Sequence, residues 1–122
     1  MNNKGQTLVV FVIILPIILM IFTLIIDLGF LYIEKRNIDN NVYDSVEYYL
    51  DNINDINIET KVKKLLNKNI KNIDDILISD NNEYIEIRVL KTRKSIYSII
   101  TNETKIDIVY KGFKEDKKII KG

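Results

Sequence analysis

Apolar residues are concentrated in one uninterrupted run at the start of the chain, and shorter periodic patterns follow it. Between Lys4 and Asp27 there are 22 residues without a charge, and within residues 8–26 only Pro16 and Thr23 interrupt the strongly apolar side chains. A helix of this length reaches about 33 Å, which is enough to cross a bilayer core of about 30 Å. The pattern therefore predicts a single transmembrane helix near the N-terminus.

Two other structures are compatible with an N-terminal apolar run. A cleaved secretory signal peptide has a shorter apolar region and small residues before the cut. This chain contains no alanine, and residues 27–36 offer no pair of small residues separated by one position. A buried core helix is the third alternative, and such helices are usually shorter than this run. The retained transmembrane helix is the interpretation that we favour.

The helix is predicted to continue beyond the apolar run as an amphipathic extension over residues 27–53. Apolar residues recur there at steps of mostly three, four or seven, which is the spacing of one helical face. Gly29 is the weak point and costs about 1 kcal/mol relative to alanine in an exposed helix. The residues of the stripe are Leu31, Ile38, Val42, Val46, Tyr49, Leu50 and Ile53.

A turn over residues 52–57 and a second helix over residues 58–73 are predicted next. The turn is rich in asparagine and aspartate, which compete with helical hydrogen bonds. The second helix has lysines outside its apolar face, and we interpret them as a solvated surface. A membrane-surface or nucleic-acid role for these lysines is the alternative. The apolar face consists of Val62, Leu65, Leu66, Ile70 and Ile73.

The C-terminal part alternates between apolar and polar residues and is predicted to form a small sheet. Residues 76–78, 84–91 and 105–110 read as strands. Residues 95–101 fit a helical turn better than a strand, and residues 113–122 form either a last edge strand or a frayed end. The predicted fold class is α+β, with a long N-terminal helix, a second short helix and about three antiparallel strands.

Composition excludes several kinds of chemistry. The net charge is +1, and the chain has no cysteine and no histidine. Disulfides, thiolate or imidazole metal sites, cysteine nucleophiles and histidine acid–base catalysis are therefore excluded. The acidic residues Asp74, Asp75 and 80–83 lack the spacing of a calcium loop. We expect no catalytic residues, no cofactor, no metal and no nucleic-acid partner.

The N-terminal half resembles a known family. Gly5 precedes the apolar run, Pro16 lies eleven residues further on, and the Asp-x-Gly motif of Asp27 and Gly29 closes the run before the amphipathic helix. This order of features is similar to that of the TadE-like minor pseudopilins of tight-adherence (Flp-type) pilus systems, which are type IV pilin-like proteins. The match covers about the first 50 residues, and the remainder matches only in its strand pattern.

The resemblance implies a processing site. Gly5 is then the residue before the prepilin-peptidase cut, Gln6 is the mature N-terminus, and Phe11 is the aromatic residue in the sixth mature position. Val10 occupies the position of the family's glutamate, so the chain departs from the family there. The implied organisation is a leader over residues 1–5, a transmembrane helix over 6–26, an amphipathic extension over 27–53 and a small exposed domain over 54–122.

The function that the resemblance implies is that of a minor pilin-like structural subunit in the assembly of a pilus used in adhesion and secretion. Expected partners are the lipid bilayer, other pilin-like subunits, pilus assembly platform proteins and the prepilin peptidase. The expected location is the cytoplasmic membrane, with the N-terminus inside and the C-terminal domain outside. A single-pass adaptor whose exposed domain binds a protein partner is the alternative. The expected packing and assembly residues are Phe11, Pro16, Asp27, Gly29, Leu31, Ile38, Val42, Val46 and Tyr49.

Overall fold

The computed structural model describes residues 3–94 and 103–122 and confirms the α+β class with a pilin-like layout. The chain divides into two compact units, Met1–Tyr32 and Ile33–Gly122, hereafter unit 1 and unit 2. The ambiguous residues 95–101 lie outside the described residues. The elements are α1 (Asn3–Asp51), α2 (Ile58–Asn69), β1 (Asp75–Asp80), β2 (Tyr84–Arg93), β3 (Thr104–Phe113) and β4 (Ile119–Lys121).

Unit 1 consists of the first part of α1. The large apolar side chains of residues 8–26 are between 41% and 63% exposed, so none of them packs into a core within this chain. The most apolar 18-residue window of α1 has a mean hydropathy of 3.4 and is 0% buried. Within the described residues, α1 is the one helix that is long and apolar enough to cross a membrane. The hydroxyl of Thr23 donates to the Leu19 carbonyl oxygen at 2.8 Å, which satisfies this polar group inside the helix.

Unit 2 contains an antiparallel sheet with the strand order β1-β2-β3-β4. The sheet has four strands rather than about three, because the C-terminal tail supplies the short edge strand β4. Asn81 closes the hairpin between β1 and β2: its side-chain oxygen accepts the backbone N–H groups of Glu83 at 2.9 Å and Tyr84 at 2.8 Å. Such an Asx turn explains why the chain reverses at this polar segment.

One face of the sheet, the inner face, forms the core of unit 2 together with the helices. Along β2, alternate residues are fully buried, as a half-buried strand requires. The register places Gly112, Tyr110 and Ile108 of β3 directly beside these residues, on the same face. The buried β2 residues are Ile85, Ile87 and Val89, each 0% exposed.

The second part of α1 packs its apolar stripe on this inner face. Ile38, Val42 and Val46 are 0% exposed. At Gly112 the helix and the strand come very close: a Cβ atom built there would lie 2.6 Å from Val46 Cγ1 and 2.7 Å from Leu50 Cδ1. Heavy atoms in van der Waals contact are about 3.5–4.0 Å apart, so only a glycine allows this approach.

Both helices end earlier than the sequence pattern indicates. The helix α1 ends at Asp51 rather than at residue 53, and α2 ends at Asn69 rather than at residue 73. Ile70 is extended (φ −122°, ψ 124°), but its side chain remains buried, so the apolar pattern continues past the helix. The lysines of α2 are exposed, while Val62 and Leu66 are buried.

We expect Gly112→Ala to lower the free energy of unfolding by about 1–3 kcal/mol, which is the usual effect of overpacking a core. The added methyl group would overlap Val46, whose β-branched side chain has little freedom to move away. Thermal unfolding of the full chain in detergent, followed by circular dichroism, measures this change.

The matched control for this substitution is Gly29→Ala. A Cβ atom at Gly29 meets nothing within 4 Å, so this substitution should leave unfolding unchanged or slightly favour the helix. Equal stability of the two variants would show that α1 and β3 are not packed as closely as described.

Candidate functional site

The candidate cleavage site lies inside the first turns of α1. Gly5 and Gln6 are exposed and helical, and a Cβ atom at Gly5 would meet nothing within 4 Å. The first turn of α1 contains no acidic residue to interact favourably with the N-terminal end of the helix dipole. Since glycine is also a poor helix former, local unwinding of these turns costs little, and it would present the bond between Gly5 and Gln6 in extended form.

The residues that follow the candidate cleavage site face outward. Val10 is 51% exposed and Phe11 is 59% exposed. Pro16 lies within α1 and donates no backbone hydrogen bond, yet the helix continues through it. No described residue of unit 1 covers Val10 or Phe11.

The motif that closes the apolar run lies at the end of unit 1. Asp27 is only 8% exposed, although the apolar residues around it are open. Gly29 has open space on its Cβ side, and Leu31 is half-buried. These three residues thus have three different environments, and the sequence pattern did not distinguish them.

The remaining predicted assembly residues are already occupied within unit 2. The side chains of Ile38, Val42, Val46 and Tyr49 are at most 3% exposed, and they are covered by the sheet of their own chain. They are therefore not available to a partner helix unless unit 2 opens.

Among the polar contacts that the described residues make between α1 and the rest of unit 2, we call three groups clasps. The Glu34 clasp contains Lys91 and Arg93, which continue the inner face of β2 beyond Val89. Arg93 Nε lies 2.9 Å from Glu34 Oε2, and Lys91 Nζ contacts the other carboxylate oxygen. The side chains of Lys91 and Arg93 are only 13% and 14% exposed, so the pairing with Glu34 compensates cations that have lost most of their hydration.

The Asp39 clasp connects α1 with β3 and β4. The hydroxyl of Tyr110 donates to Asp39 Oδ2 at 2.8 Å. Lys121 Nζ lies 3.0 Å from the buried Asp39 Oδ1, within ion-pair distance but without hydrogen-bond alignment. Burial and the bond to Asp39 raise the pKa of Tyr110 from 10.0 to about 12. The Tyr43 ring packs edge-on against the Tyr110 ring, with centroids 5.7 Å apart.

The Tyr49 clasp connects α1 with the end of β1. The hydroxyl of Tyr49 donates to Asp80 Oδ2 at 2.9 Å, and Lys114 Nζ contacts Asp80 Oδ1. Burial opposes ionisation of Asp80, but the hydrogen bonds from Lys114 and Tyr49 outweigh it and hold the pKa of Asp80 below 3.8. Burial and the bond to Asp80 raise the pKa of Tyr49 from 10.0 to about 12.

The clasps were not predicted from the sequence, although the residues of the Glu34 clasp are recognisable in its pattern. Glu34 lies four residues before Ile38 and three after Leu31, in the gap of the apolar stripe. Lys91 and Arg93 likewise continue the alternation of β2 onto its apolar face. Charged residues at core-facing positions of two elements require each other, because a buried charge without a partner is costly.

We expect Tyr49→Phe to lower the free energy of unfolding by about 1–2 kcal/mol at neutral pH, since a hydrogen bond to a charged acceptor is lost. The folded-state pKa of Asp80 is depressed, so this contribution is complete above the unfolded value and is lost as the pH falls through the folded one. The folded-state pKa of Tyr49 is raised, so the contribution is complete below pH 10 and is lost as the pH rises through about 12.

Measuring the free energy of unfolding of the wild type and of Tyr49→Phe across this pH range checks the prediction. The difference between the two free energies should become smaller at low pH and at high pH. Tyr48→Phe is the matched control, because Tyr48 is the neighbouring tyrosine and is 38% exposed. The free energy of unfolding of this variant should equal that of the wild type at each pH. If the free energy of unfolding of Tyr49→Phe differs from that of the wild type by the same amount at every pH, the proposed hydrogen bond between Tyr49 and Asp80 is contradicted.

Comparison of the chain with protein-family models, with curated proteins and with solved structures finds no match. The resemblance to TadE-like pseudopilins therefore depends on the N-terminal residues alone. The geometry contributes two things of its own: an apolar helical surface that nothing in unit 1 covers, and a small α+β unit built on the same helix.

Proposed function

We propose that the chain is a minor pilin-like structural subunit, anchored in the cytoplasmic membrane by the first part of α1 and involved in the assembly of a tight-adherence pilus. The observation that carries the proposal is the shared helix. One helix, Asn3–Asp51, supplies both the exposed apolar segment of unit 1 and the buried stripe of unit 2. A separate anchor joined to a domain by a flexible linker would not need this continuity.

The exposure of unit 1 supports the membrane part of the proposal. A helix that is apolar on all sides and uncovered cannot remain in water, and lipid or other apolar helices are its natural environment. The residues from Leu8 to Ile26 meet this description, and no ionisable residue interrupts them. In the proposed orientation the N-terminus lies inside and unit 2 lies outside. There the clasps stabilise unit 2, which contains no disulfide among its described residues.

The proposed processing follows from the first turns of the helix. Cleavage between Gly5 and Gln6 would remove Lys4, the last charge before the apolar run. The mature helix would then begin with its apolar segment almost at the terminus, as in pilin-like subunits that leave the membrane by assembly.

A single-pass membrane-anchored adaptor is the second candidate, and Val10 favours it. A pilin-like helix is expected to present a carboxylate at this position, where it pairs with the terminal ammonium of a neighbour. The apolar, exposed Val10 offers no such pairing. In an adaptor the apolar helix only anchors, and unit 2 binds the partner.

The N-terminus of the protein recovered from membranes separates the two candidates. Intact-mass and N-terminal peptide measurements that find Gln6 as the first residue support the pilin-like subunit. A chain that keeps Lys4 and Gly5 in the membrane supports the adaptor, and recovery of the chain outside the membrane contradicts both.

We expect Gly5→Ala to block or slow processing while membrane insertion stays normal. The space around Gly5 admits a methyl group, and one methyl hardly changes the apolar run, so the effect reports recognition by the peptidase. The measurement is the ratio of unprocessed to processed chain in the membrane fraction. Gly29→Ala is the control, because its Cβ also meets nothing within 4 Å and it lies far from the cut. Identical N-termini in wild type and Gly5→Ala would remove the main support for the proposal.

For a minor subunit at a tip or assembly platform, we expect Val10→Glu to keep its membrane level and gain no incorporation into sheared filaments. An unpaired acid within the span costs up to about 3 kcal/mol at the centre and less near the interface. A neighbour's ammonium could offset this cost in a filament. The measurement compares protein in sheared filaments with protein left in membranes. A clear rise in filament incorporation would contradict the tip assignment, and a collapse of the membrane level would favour the adaptor.

A further inference from the structure

Positive and negative charges are segregated between the two helices of unit 2. From residue 37 to its end, α1 carries four carboxylates and no lysine or arginine, whereas α2 carries four lysines and one glutamate. On each helix, exposed charges of one sign recur at steps of three and four and so share one face. We call the exposed acids of α1 the acidic ridge and the exposed lysines that share one face of α2 the basic ridge. The acidic ridge consists of Asp44, Glu47 and Asp51, and the basic ridge consists of Lys61, Lys64 and Lys68.

The ridges have few counter-charges of their own. Lys117 Nζ lies 3.5 Å from Asp51 Oδ1, and Lys61 Nζ contacts Asp55 in the turn between the helices. Among the described residues, the other members of the ridges take part in no ion pair: Asp44, Glu47, Lys64 and Lys68.

This segregation is unfavourable within one chain. Like charges three or four residues apart on a helix repel each other, and a face that only needs to be soluble avoids this by mixing both signs. A partner that carries the opposite charge at the same positions turns the repulsion into attraction. The partner surface must therefore present a basic stripe and an acidic stripe side by side, which is what this chain itself presents.

The two helices meet at the end of unit 2 where α1 stops. The hydroxyl of Tyr49 donates to Asp80, so α1 ends beside the end of β1. The bond to Asp55 raises the pKa of Lys61 above 10.5, and Tyr48 of α1 is close enough to add a smaller electrostatic contribution. The start of α2 therefore lies level with the last turn of α1.

From that end, α2 runs back along the sheet. Lys63 and Asn67 line a shallow pocket together with Asp75 and Ile76, which lie at the start of β1. Because β1 starts at one end of the sheet and reaches Asp80 at the other, α2 is antiparallel to α1.

The levels of the ridge residues follow from this arrangement. Both helices advance by about 1.5 Å per residue, so three residues forward from Lys61 on α2 correspond to three residues back from Tyr48 on α1. Lys64 is thus level with residue 45, between Asp44 and Glu47, but on the neighbouring helix.

We propose that this surface binds a second copy of the chain in a two-fold symmetric dimer whose axis runs parallel to the two helices. Rotation about such an axis keeps every residue at its level and exchanges left for right, so α1 of one copy faces α2 of the other. Lys64 of each copy then lies between Asp44 and Glu47 of the other copy. The interface is isologous, and each contact therefore occurs twice.

Charge selects this symmetry over the other face-to-face arrangement. A two-fold axis that runs across the helices stacks α1 on α1 and α2 on α2. The acidic ridges would then face each other, as would the basic ridges, and like charges opposed across an interface are unfavourable. With the axis along the helices, every ridge faces one of opposite sign.

A short apolar strip separates the two ridges. Tyr48 lies beside Lys61 on the side of α1 that faces α2, and it is 38% exposed. Leu65 lies one turn after Lys61 on α2 and is 36% exposed. The proposed axis passes in front of this strip, so the strips of both copies meet inside a frame of ion pairs. An apolar centre with a polar rim is the usual anatomy of a protein interface.

The entry points of the chain agree with the same axis, and this step rests on the proposed membrane anchoring. The chain enters unit 2 at Ile33. Rotation about an axis parallel to α1 leaves both entry points at the same end of the dimer, as two anchors in one membrane require. Exposed ion pairs are individually weak, but confinement of both copies to one membrane raises their effective concentration and offsets this weakness.

Disulfide cross-linking in membranes tests the contact between the helices, because the chain has no cysteine of its own. Glu47→Cys and Lys64→Cys are made in separate full-length chains and co-expressed. Facing positions on helices packed about 8–10 Å apart bring the Cα atoms within the reach of a disulfide, about 7 Å. The second contact of the same dimer keeps its Glu47 and Lys64, so the attraction is not lost.

We expect oxidised dimers when both variants are present and at least about tenfold fewer from either variant alone. Glu47→Cys with Lys105→Cys is the matched control, because Lys105 is exposed on the outer face of the sheet, and its yield should be equally low. Equal yields for both pairs would show random collision and would overturn the proposal. Efficient cross-linking of Glu47→Cys with itself would show α1 on α1 and would also overturn it.

Charge reversal tests the electrostatic part with the ridges free of cysteine. Asn82→Cys, exposed in the turn between β1 and β2, carries a fluorophore, and energy transfer between labelled chains in vesicles of uncharged lipid measures association. We expect Lys64→Glu and Glu47→Lys each to weaken self-association at least about tenfold, or about 1.4 kcal/mol. Each reversal converts attraction into repulsion at both symmetric contacts.

A mixture of the two reversed chains gives the sharpest result. When a Lys64→Glu chain meets a Glu47→Lys chain, both contacts again join opposite charges, so association should return to within about threefold of the wild type. Loss of association by both variants without this rescue overturns the two-fold pairing. Loss by Lys64→Glu alone shows that the lysines bind a different, anionic partner and overturns the proposal as well.

Two controls separate these effects from misfolding and from net charge. Each reversal replaces like-charged neighbours on its own helix by opposite ones, so thermal unfolding should not be weakened. Lys105→Glu makes the same change in net charge as Lys64→Glu on the other face of the sheet and should associate like the wild type. Equal losses for Lys105→Glu and Lys64→Glu would overturn the assignment of the contact to the ridges.

Failure of this inference and failure of the proposed function give different results. Membrane protein with Gln6 at its N-terminus and no cross-link between positions 47 and 64 overturns the inference but leaves the proposed function standing. Protein recovered outside the membrane overturns the proposed function, and a cross-link between these positions there would still support the helix pairing.

Discussion

The helix α1 lies against β3 at a distance that only a glycine permits, and the other elements of unit 2 depend on this contact. The missing side chain of Gly112 lets Val46 and Leu50 reach the sheet backbone. The buried stripe of α1 in unit 2 then covers the inner faces of β2 and β3. A helix held further out would leave space above the fully buried isoleucines of β2, and empty space in a core destabilises it.

The clasps extend this contact from the apolar centre to the polar rim. Each one pairs a carboxylate with cations or with a tyrosine hydroxyl, and each joins α1 either to a strand or to the segment that follows one. Apolar packing alone has no preferred register along the helix axis. Directional bonds at the start, middle and end of the interface define that register, because a shift of one residue would break all three.

The apolar surface of α1 is in a different environment in each unit. In unit 2 the stripe is covered by the sheet of its own chain, whereas in unit 1 the apolar surface is open on all sides. A partner helix can therefore meet the chain through the apolar segment, but not through Ile38, Val42 or Val46. Any contact between copies that involves unit 2 must therefore use surfaces other than this stripe.

The sequence by itself determined the features that depend on neighbouring residues. The apolar run, the helical stripe of α1 and the alternation of β2 and β3 are local periodicities, so they could be predicted without knowledge of the fold. Only the tertiary structure decided which distant residues meet: Asp39 with Tyr110, Tyr49 with Asp80, and Gly112 with the helix. Residues 113–122 could be read from the sequence as an edge strand or as a frayed end. The tertiary structure decided for the strand β4, because pairing with β3 supplies hydrogen bonds that three residues cannot make alone. These contacts depend on register and distance between elements that lie far apart in the chain, and local patterns carry no information about either.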